Sequence, residues 1–327
     1  MIKDKIKYIG RFDFEDPLGP KFAWSGSSIV ARFYGKEVLV TLKSFGSNYF
    51  NVILDGKTII QGLHVEGEGK FTLAKNLDEK EHKIELVKRT EFYIGTVQFL
   101  GFDFGDGKKL DAIKESNRRI EIIGDSITCA FGAEGDLSIE YEPKYDNAYL
   151  SYGAIAARKL NAQALILGRS GYGVLRDYEG NIGNTLQSLY SFITPENEGW
   201  NFACWIPQVV VINLGTNDFS FGHIPNRKEF TRAYINFVDK IYSKYPNTEV
   251  VCAIGPIIDG EVLEVTRDYI KGDIVSYFNK NNKKVYFLEF NHQKEEDGYG
   301  ISYHPSLRTH ELMGEQLTSK IKEIKDW

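Results

Sequence analysis

The sequence predicts a two-part chain: an N-terminal β-sandwich, then an α/β domain built on a parallel five-stranded sheet. Two observations carry this. Up to about Asp106, short alternating apolar segments follow one another with turn residues between them and no helical periodicity. From Arg119 onward, five buried apolar runs alternate with segments patterned as helices, the signature of a parallel sheet covered on both faces. Near Gly105-Asp106-Gly107-Lys108-Lys109 glycine and lysine interrupt the strands, and the polar stretch Lys114 to Arg119 follows. The boundary is placed there, giving residues 1–110 and 111–327.

In the first part, Ser28 to Phe33 alternates with Ile29, Ala31 and Phe33 on one face, and Val38, Val40 and Leu42 repeat the pattern. The run from Phe50 to Ile60 contains Asp55-Gly56 at its centre and predicts a hairpin. Ile84 and Leu86 alternate in a later strand, so seven or eight short strands are expected. In the second part, Ile120-Glu121-Ile122-Ile123 is the first buried strand, and Asn147 to Leu160 is patterned as a helix. Ala164 to Gly168, Gln208 to Leu214, Val250 to Ile254 and Val285 to Leu288 are the remaining strands. Arg227 to Tyr245 carries Phe230, Tyr234, Phe237, Val238 and Ile241 at helical spacing, and Leu312, Leu317, Ile321 and Ile324 mark a closing helix.

The 327 residues are 42 % hydrophobic and 26 % charged, the balance of a globular protein with a sizeable core. A net charge of −5, with no basic run interleaved with aromatics, gives no reason to expect nucleic acid or an anionic membrane as partner. Cys129, Cys204 and Cys252 are too few and too scattered for a disulfide framework. No apolar leader or bilayer-length run is present, so a cytoplasmic protein is expected, or a secreted one if a signal peptide has been trimmed away. No HExxH motif, carboxylate cluster or phosphate loop implies a metal or nucleotide cofactor.

Each polar feature of the second part falls just after a strand, and in parallel sheets ligands gather at those carboxyl ends. Ser126 follows the first strand across Gly124-Asp125, where unpaired N–H groups can face an anion. Gly168-Arg169-Ser170-Gly171-Tyr172-Gly173 follows the second and Gly215-Thr216-Asn217-Asp218 the third. His304-Pro305-Ser306 follows the fifth and opens the last helix. Singly, each is an ordinary Gly-rich turn. Together they bring a hydroxyl, an imidazole and anion donors to one rim.

In that order these segments resemble the four blocks of the SGNH, or GDSL-like, esterase superfamily: Gly124-Asp125-Ser126, Ser170-Gly171, Gly215-Thr216-Asn217-Asp218 and His304-Pro305. The preceding sandwich and the fuller strings Gly124-Asp125-Ser126-Ile127-Thr128-Cys129 and His304-Pro305-Ser306 also resemble carbohydrate esterase family two. The resemblance implies a jelly-roll-like first domain and a flavodoxin-like hydrolase domain. It further implies removal of acetyl groups from plant cell-wall polysaccharides such as xylan and glucomannan, often at the 6-hydroxyl. Ser126 would be the nucleophile and His304 the general base, with the N–H groups of Ser126 and Gly171 and the Asn217 amide as oxyanion hole. Asp125 and Asp218 would fix their loops as hydrogen-bond acceptors.

One position departs from the pattern. The superfamily usually has an Asp two or three residues before its histidine, where this chain has Ser302 and Ile301. A backbone carbonyl accepting from Nδ1 is the expected substitute, making a Ser–His dyad; Asp297 and Ser302 are the other candidates. Tyr172, Trp200, Trp205 and Phe219 lie near the expected rim loops in sequence; Tyr172 and Trp205 are taken as substrate-binding candidates. His310 is expected at the surface, Cys129 as a small buried hydrophobe, and Trp24 and Tyr49 as packing aromatics. The expected partner is an acetylated oligo- or polysaccharide; the sequence leaves the oligomeric state open. Two rival functions remain, a short-chain lipase or thioesterase on the same machinery and a non-catalytic carbohydrate-binding protein.

Overall fold

A computed structural model of the chain describes residues 5–112 and 116–327. Residues 1–4 lie outside this description, as does Lys114, with which the expected polar lead-in to the second domain begins. The first part is one eight-stranded antiparallel sheet: β1 (Ile6–Ile9), β2 (Lys21–Phe22), β3 (Ser28–Gly35), β4 (Val38–Leu54), β5 (Lys57–Ala74), β6 (Lys80–Lys88), β7 (Val97–Asp103) and β8 (Lys108–Lys109). Two strands are far longer than expected, β4 with 17 residues and β5 with 18. Their turn is the Asp55-Gly56 pair, both residues at positive φ (51° and 82°), as a two-residue hairpin turn of matching twist requires.

The length of β4 makes two layers out of one sheet. Its first half pairs with β7 and its second half with β6, while β5 runs along its other edge. The changeover falls at Phe45–Ser47, where the β4–β5 register also shifts. The result is a half-barrel whose layers are continuous through the long hairpin. Its inside is filled by Phe22, Phe33, Val40, Leu42, Phe50 and Ile84, the inward members of the alternating runs.

The second part carries parallel strands β9 (Arg119–Gly124) and β10 (Gln163–Gly168), then a small hairpin of β11 (Phe192–Thr194) and β12 (Asn197–Glu198), then β13 (Val209–Asn213), β14 (Glu249–Ile254) and β15 (Val285–Glu289). The five long strands lie in the order β10-β9-β13-β14-β15, all parallel. Strand order reverses beside β9, which opens a crevice at its carboxyl end. Helices are α1 (Ser126–Cys129), α2 (Tyr152–Lys159), α3 (Leu186–Leu189), α4 (Arg227–Lys244), α5 (Gly260–Arg267), α6 (Ser276–Lys280) and α7 (Leu307–Ile324). α4 packs Phe230, Tyr234, Phe237 and Ile241 on one sheet face; α2 and α7 pack Tyr152, Met313, Leu317 and Ile321 on the other.

The helices of the second part differ from expectation in two further places. The helix expected from Asn147 begins at Tyr152, because Ser151 caps it by accepting from the Ala154 N–H and a 3₁₀ turn, Ala148–Leu150, precedes it. The helical stretch between β14 and β15 escaped periodicity analysis. Its middle, Asp268–Val275, is π-wound, and the extra residue per turn shifts the apolar stripe off a 3.6-residue repeat. No helix among the described residues is long and apolar enough to cross a membrane.

Candidate active site

Ser126 sits where β9 ends. A Cβ on Gly124 would lie 2.0 Å from Thr128 Oγ1 and 2.8 Å from the Asn213 carbonyl oxygen, so only glycine permits the close turn there. Asp125 caps α1, its Oδ1 accepting from the Ile127 N–H at 3.0 Å. Ser126 thus occupies the first turn of α1, only 7 % exposed. Its main-chain N–H, like that of Gly171, donates to no protein acceptor among the described residues.

His304 follows the 3₁₀ turn Ile301–Tyr303, in which Ser302 and Tyr303 both take left-handed backbone (φ 54° and 61°). That turn presents the Ile301 carbonyl to Nδ1 at 3.0 Å, while Nε2 lies 2.9 Å from Ser126 Oγ. An imidazole held so is fixed in the tautomer that accepts at Nε2, and the pair can move a proton from hydroxyl to ring. Burial pulls the His304 pKa below the ordinary 6.5, opposed by the Ile301 and Ser302 backbone contacts. Asp297 is turned elsewhere: its carboxylate lies 3.9 Å from Arg308 Nε and its carbonyl accepts from Ser306 Oγ at 2.7 Å.

Gly171 has φ 79°, and a Cβ there would press within 2.9 Å of the Tyr178 ring. Asn217 Nδ2 donates to the Tyr172 carbonyl at 3.0 Å and to Asp125 Oδ2 at 3.3 Å, which ties the third loop to the first and second. Asp218 is buried and accepts from the N–H groups of Val174 (2.9 Å), Leu175 (2.7 Å) and Arg176 (3.2 Å). Burial pushes Asp125 up to about 7 and Asp218 up to about 6, the backbone donors pulling against it.

Ser126, Gly171, Tyr172, Asn217 and His304 all line one open cavity of about 930 Å³. Phe219 lines it too, and its walls carry the half-exposed or exposed rings of Tyr93, Tyr178, Phe221 and Tyr303. Tyr93 comes from the half-barrel, and no rim-loop pattern in the sequence pointed to it. Arg169, also in the wall, lies over Tyr93 (4.1 Å) and Tyr172 (4.8 Å). Among the described residues no group of three His, Cys, Asp or Glu is arranged to hold a metal ion.

Three residues stand elsewhere than expected or play another part. Trp205 is not in the cavity: its Nε1 lies 3.4 Å from Gln163 Oε1 and its ring 5.9 Å from the Arg119 guanidinium, at the amino ends of β10 and β9. The loop before β13 carries it, on the opposite rim from Ser126. Trp200 lies under the Arg11 guanidinium at 5.1 Å, away from the cavity-lining residues. His310 is fully buried, its Nδ1 3.4 Å from the Tyr152 N–H, and burial pushes it down to about 3. Cys129 is buried with its thiol pushed well up, and Trp24 is stacked on Phe92 at 4.1 Å.

Comparison with known proteins gives two family matches, carbohydrate esterase 2 N-terminal over residues 8–113 and the GDSL-like lipase/acylhydrolase family over residues 122–312. The chain is 45 % identical to the cellulase/esterase CelE of Acetivibrio thermocellus over 98 % of its own length, but spans only 40 % of that protein. It is 25 % identical to an acetylxylan esterase/glucomannan deacetylase of Cellvibrio japonicus, covering 98 % of this chain and 89 % of that one. Among solved structures, a family two carbohydrate esterase from Clostridium thermocellum in complex with cellohexaose superposes with a TM-score of 0.94 at 45 % identity, covering 98 % of each chain. By these matches the chain belongs to the GDSL-like lipase/acylhydrolases and, among them, to the family two carbohydrate esterases.

Proposed function

We propose that this chain is a serine esterase that removes O-acetyl groups from hemicellulose-derived carbohydrates, acetylated xylan or mannan oligosaccharides. The observation that carries the reading is the 2.9 Å approach of His304 Nε2 to Ser126 Oγ inside an aromatic-walled cavity. Ser126 Oγ attacks the acetyl carbonyl while its proton passes to Nε2. The negative charge on the carbonyl oxygen is met by the N–H groups of Ser126 and Gly171 and by the Asn217 amide, which gives up its longer bond to Asp125 (3.3 Å) to do so. His304 returns the proton to the departing sugar oxygen as the tetrahedral species collapses to an acetyl-enzyme. It then draws a proton from water for the second half-reaction. Ile301 accepts from Nδ1 throughout, in the place where related hydrolases use a carboxylate.

The acetylxylan esterase/glucomannan deacetylase similarity supports the substrate class, and the broad cavity accommodates a sugar better than a slot for a long acyl chain would. The binding alternative has one observation in its favour: the relative of 45 % identity is solved with cellohexaose, a sugar without an ester. Hydrolysis of a short acetyl ester, abolished in Ser126→Ala, separates the two. Mass spectrometry of acetylated xylo- and manno-oligosaccharides incubated with the protein then reads the preferred backbone. An unchanged oligosaccharide mass and an intact short ester, under conditions where cello-oligosaccharides bind, would leave only the binder.

A further inference from the structure

We propose that Glu91, a residue of the N-terminal half-barrel, is a positioning residue for the Gly171 N–H of the oxyanion hole. The inference rests on the esterase reading above and adds a part to it. Glu91 is fully buried, just beyond β6, and both of its carboxylate oxygens are spent on Ser170. Oε2 accepts from the Ser170 N–H at 2.9 Å, and Oε1 accepts from the Ser170 hydroxyl. The next peptide unit is the one that matters, because its N–H belongs to Gly171. Its carbonyl, that of Ser170, accepts from Arg169 Nη1 at 2.8 Å. No peptide bond is cis among the described residues, and in a trans peptide the N–H points opposite to the C=O. Fixing Ser170 at its N–H, hydroxyl and carbonyl therefore fixes the direction of the Gly171 N–H.

The grip comes from a rigid place. Lys88 Nζ donates to the carbonyls of Thr90 (2.8 Å) and Glu91 (2.9 Å), and Phe92 is stacked on Trp24. Glycine at position 171 makes such bracing necessary, since its backbone alone holds no orientation. Donors aimed in advance are what make an oxyanion hole effective, and a donor free to swing loses most of that benefit.

The test compares Glu91→Ala and Glu91→Gln with the parent protein. For Glu91→Ala, kcat on a short acetyl ester should fall about 10- to 100-fold with KM within about threefold. Glu91→Gln keeps an oxygen for the Ser170 N–H and should retain activity within about threefold. A boronic acid, which forms a tetrahedral adduct on the serine, should lose affinity in Glu91→Ala by the same factor as kcat, while cello-oligosaccharide affinity stays put. A carboxylate that only stabilised the fold would lower the melting temperature without this matched loss in the folded protein. A folded Glu91→Ala with parental kcat overturns the proposal. So does one that weakens boronate and oligosaccharide alike. Should Glu91→Ala fail to fold, Ser170→Ala carries the test: a loss of about 3- to 10-fold in kcat, matched by the boronate, supports the proposal, and no loss overturns it. If the parent protein itself hydrolyses no acetyl ester, the esterase reading falls first; parental activity with an indifferent Glu91→Ala removes only this inference.

Discussion

Ser126 and His304 meet at 2.9 Å although 178 positions separate them, and the imidazole reaches the hydroxyl with no acid behind it. Because burial holds His304 below 6.5, its basic form persists at mildly acidic pH. The kcat/KM profile should therefore have its acid limb below the pH at which a solvated histidine titrates, activity falling only as pH drops through the depressed value. An acid limb at or above 6.5 on a short acetyl ester would mean the ring is not held as described. Asn217→Ala should cost about 10²- to 10³-fold in kcat, about 3–4 kcal/mol of transition-state stabilisation, with an unchanged circular dichroism spectrum. Its amide also ties Asp125 to the Tyr172 carbonyl, so a variant that is inactive because it unfolds would point to that tie instead. The positions of Ser126, Gly171, Asn217 and His304 after strands were legible because strand ends are visible as apolar runs that stop. His310 was equally legible and was missed: it shares the buried stripe of α7 with Met313, Gly314, Leu317 and Ile321, a spacing that outweighs its polarity. Trp205 lies elsewhere because it precedes a strand, and in a parallel sheet the segments that lead into strands stand at the rim opposite the one where Ser126 emerges.

At the scale of elements, the turn Ile301–Tyr303 sets the Ile301 carbonyl 3.0 Å from His304 Nδ1, in a chain that lacks the usual acid before its histidine. Two consecutive non-glycine residues in left-handed backbone cost on the order of 1–2 kcal/mol each, and the surrounding contacts must hold them. Gln293 Nε2 donates to the Tyr303 carbonyl at 2.8 Å and the Ile301 N–H to the Gly132 carbonyl at 3.1 Å, one bond on each side of the bend. A β-branched residue resists φ near +54° more than serine does, so Ser302→Val should lose about 1–2 kcal/mol in denaturant unfolding. It should also lower kcat as the Ile301 carbonyl leaves Nδ1. Ser302→Gly should retain activity, since glycine adopts this backbone freely. Equal activity in both variants would detach the turn from catalysis. The sequence pointed to a missing acid and to a backbone carbonyl in its place but not to which carbonyl, because every residue has one and only the turn's conformation aims that of Ile301 at Nδ1. Likewise the long strands β4 and β5 read as several short ones, since bulges interrupt their alternation.

Across the whole molecule, the boundary proposed near residue 110 divides two sheets but not two cores. Ala23, Trp24 and Phe92 from the first part are buried in the same cluster as Phe230 and Phe237 of α4. Arg11 reaches further. It is fully buried, its Nη2 lies 3.1 Å from Glu121 Oε1 on β9, and its Nη1 donates to the carbonyls of Tyr190 (2.5 Å) and Phe192 (3.1 Å). Glu121 also accepts from the Tyr190 hydroxyl at 2.7 Å, so both Glu121 oxygens and both terminal nitrogens of Arg11 keep their partners only while both sheets are in place; Arg11 Nε is buried without one among the described residues. Charged residues of this kind look like a solvated face in sequence, because the partner that neutralises them lies 110 positions away. A buried pair adds little over an apolar replacement, but removing one member strands the other in a dry interior. Arg11→Ala should therefore cost about 3–5 kcal/mol, and Arg11→Met combined with Glu121→Leu should recover most of it. Since Glu121 lies on the strand that delivers Ser126, esterase activity and both sheets should be lost in one calorimetric transition that Arg11→Ala shifts as a unit. Two transitions, with the one that removes activity unmoved by the substitution, would mean that the half-barrel is an appendage and the α/β part stands alone.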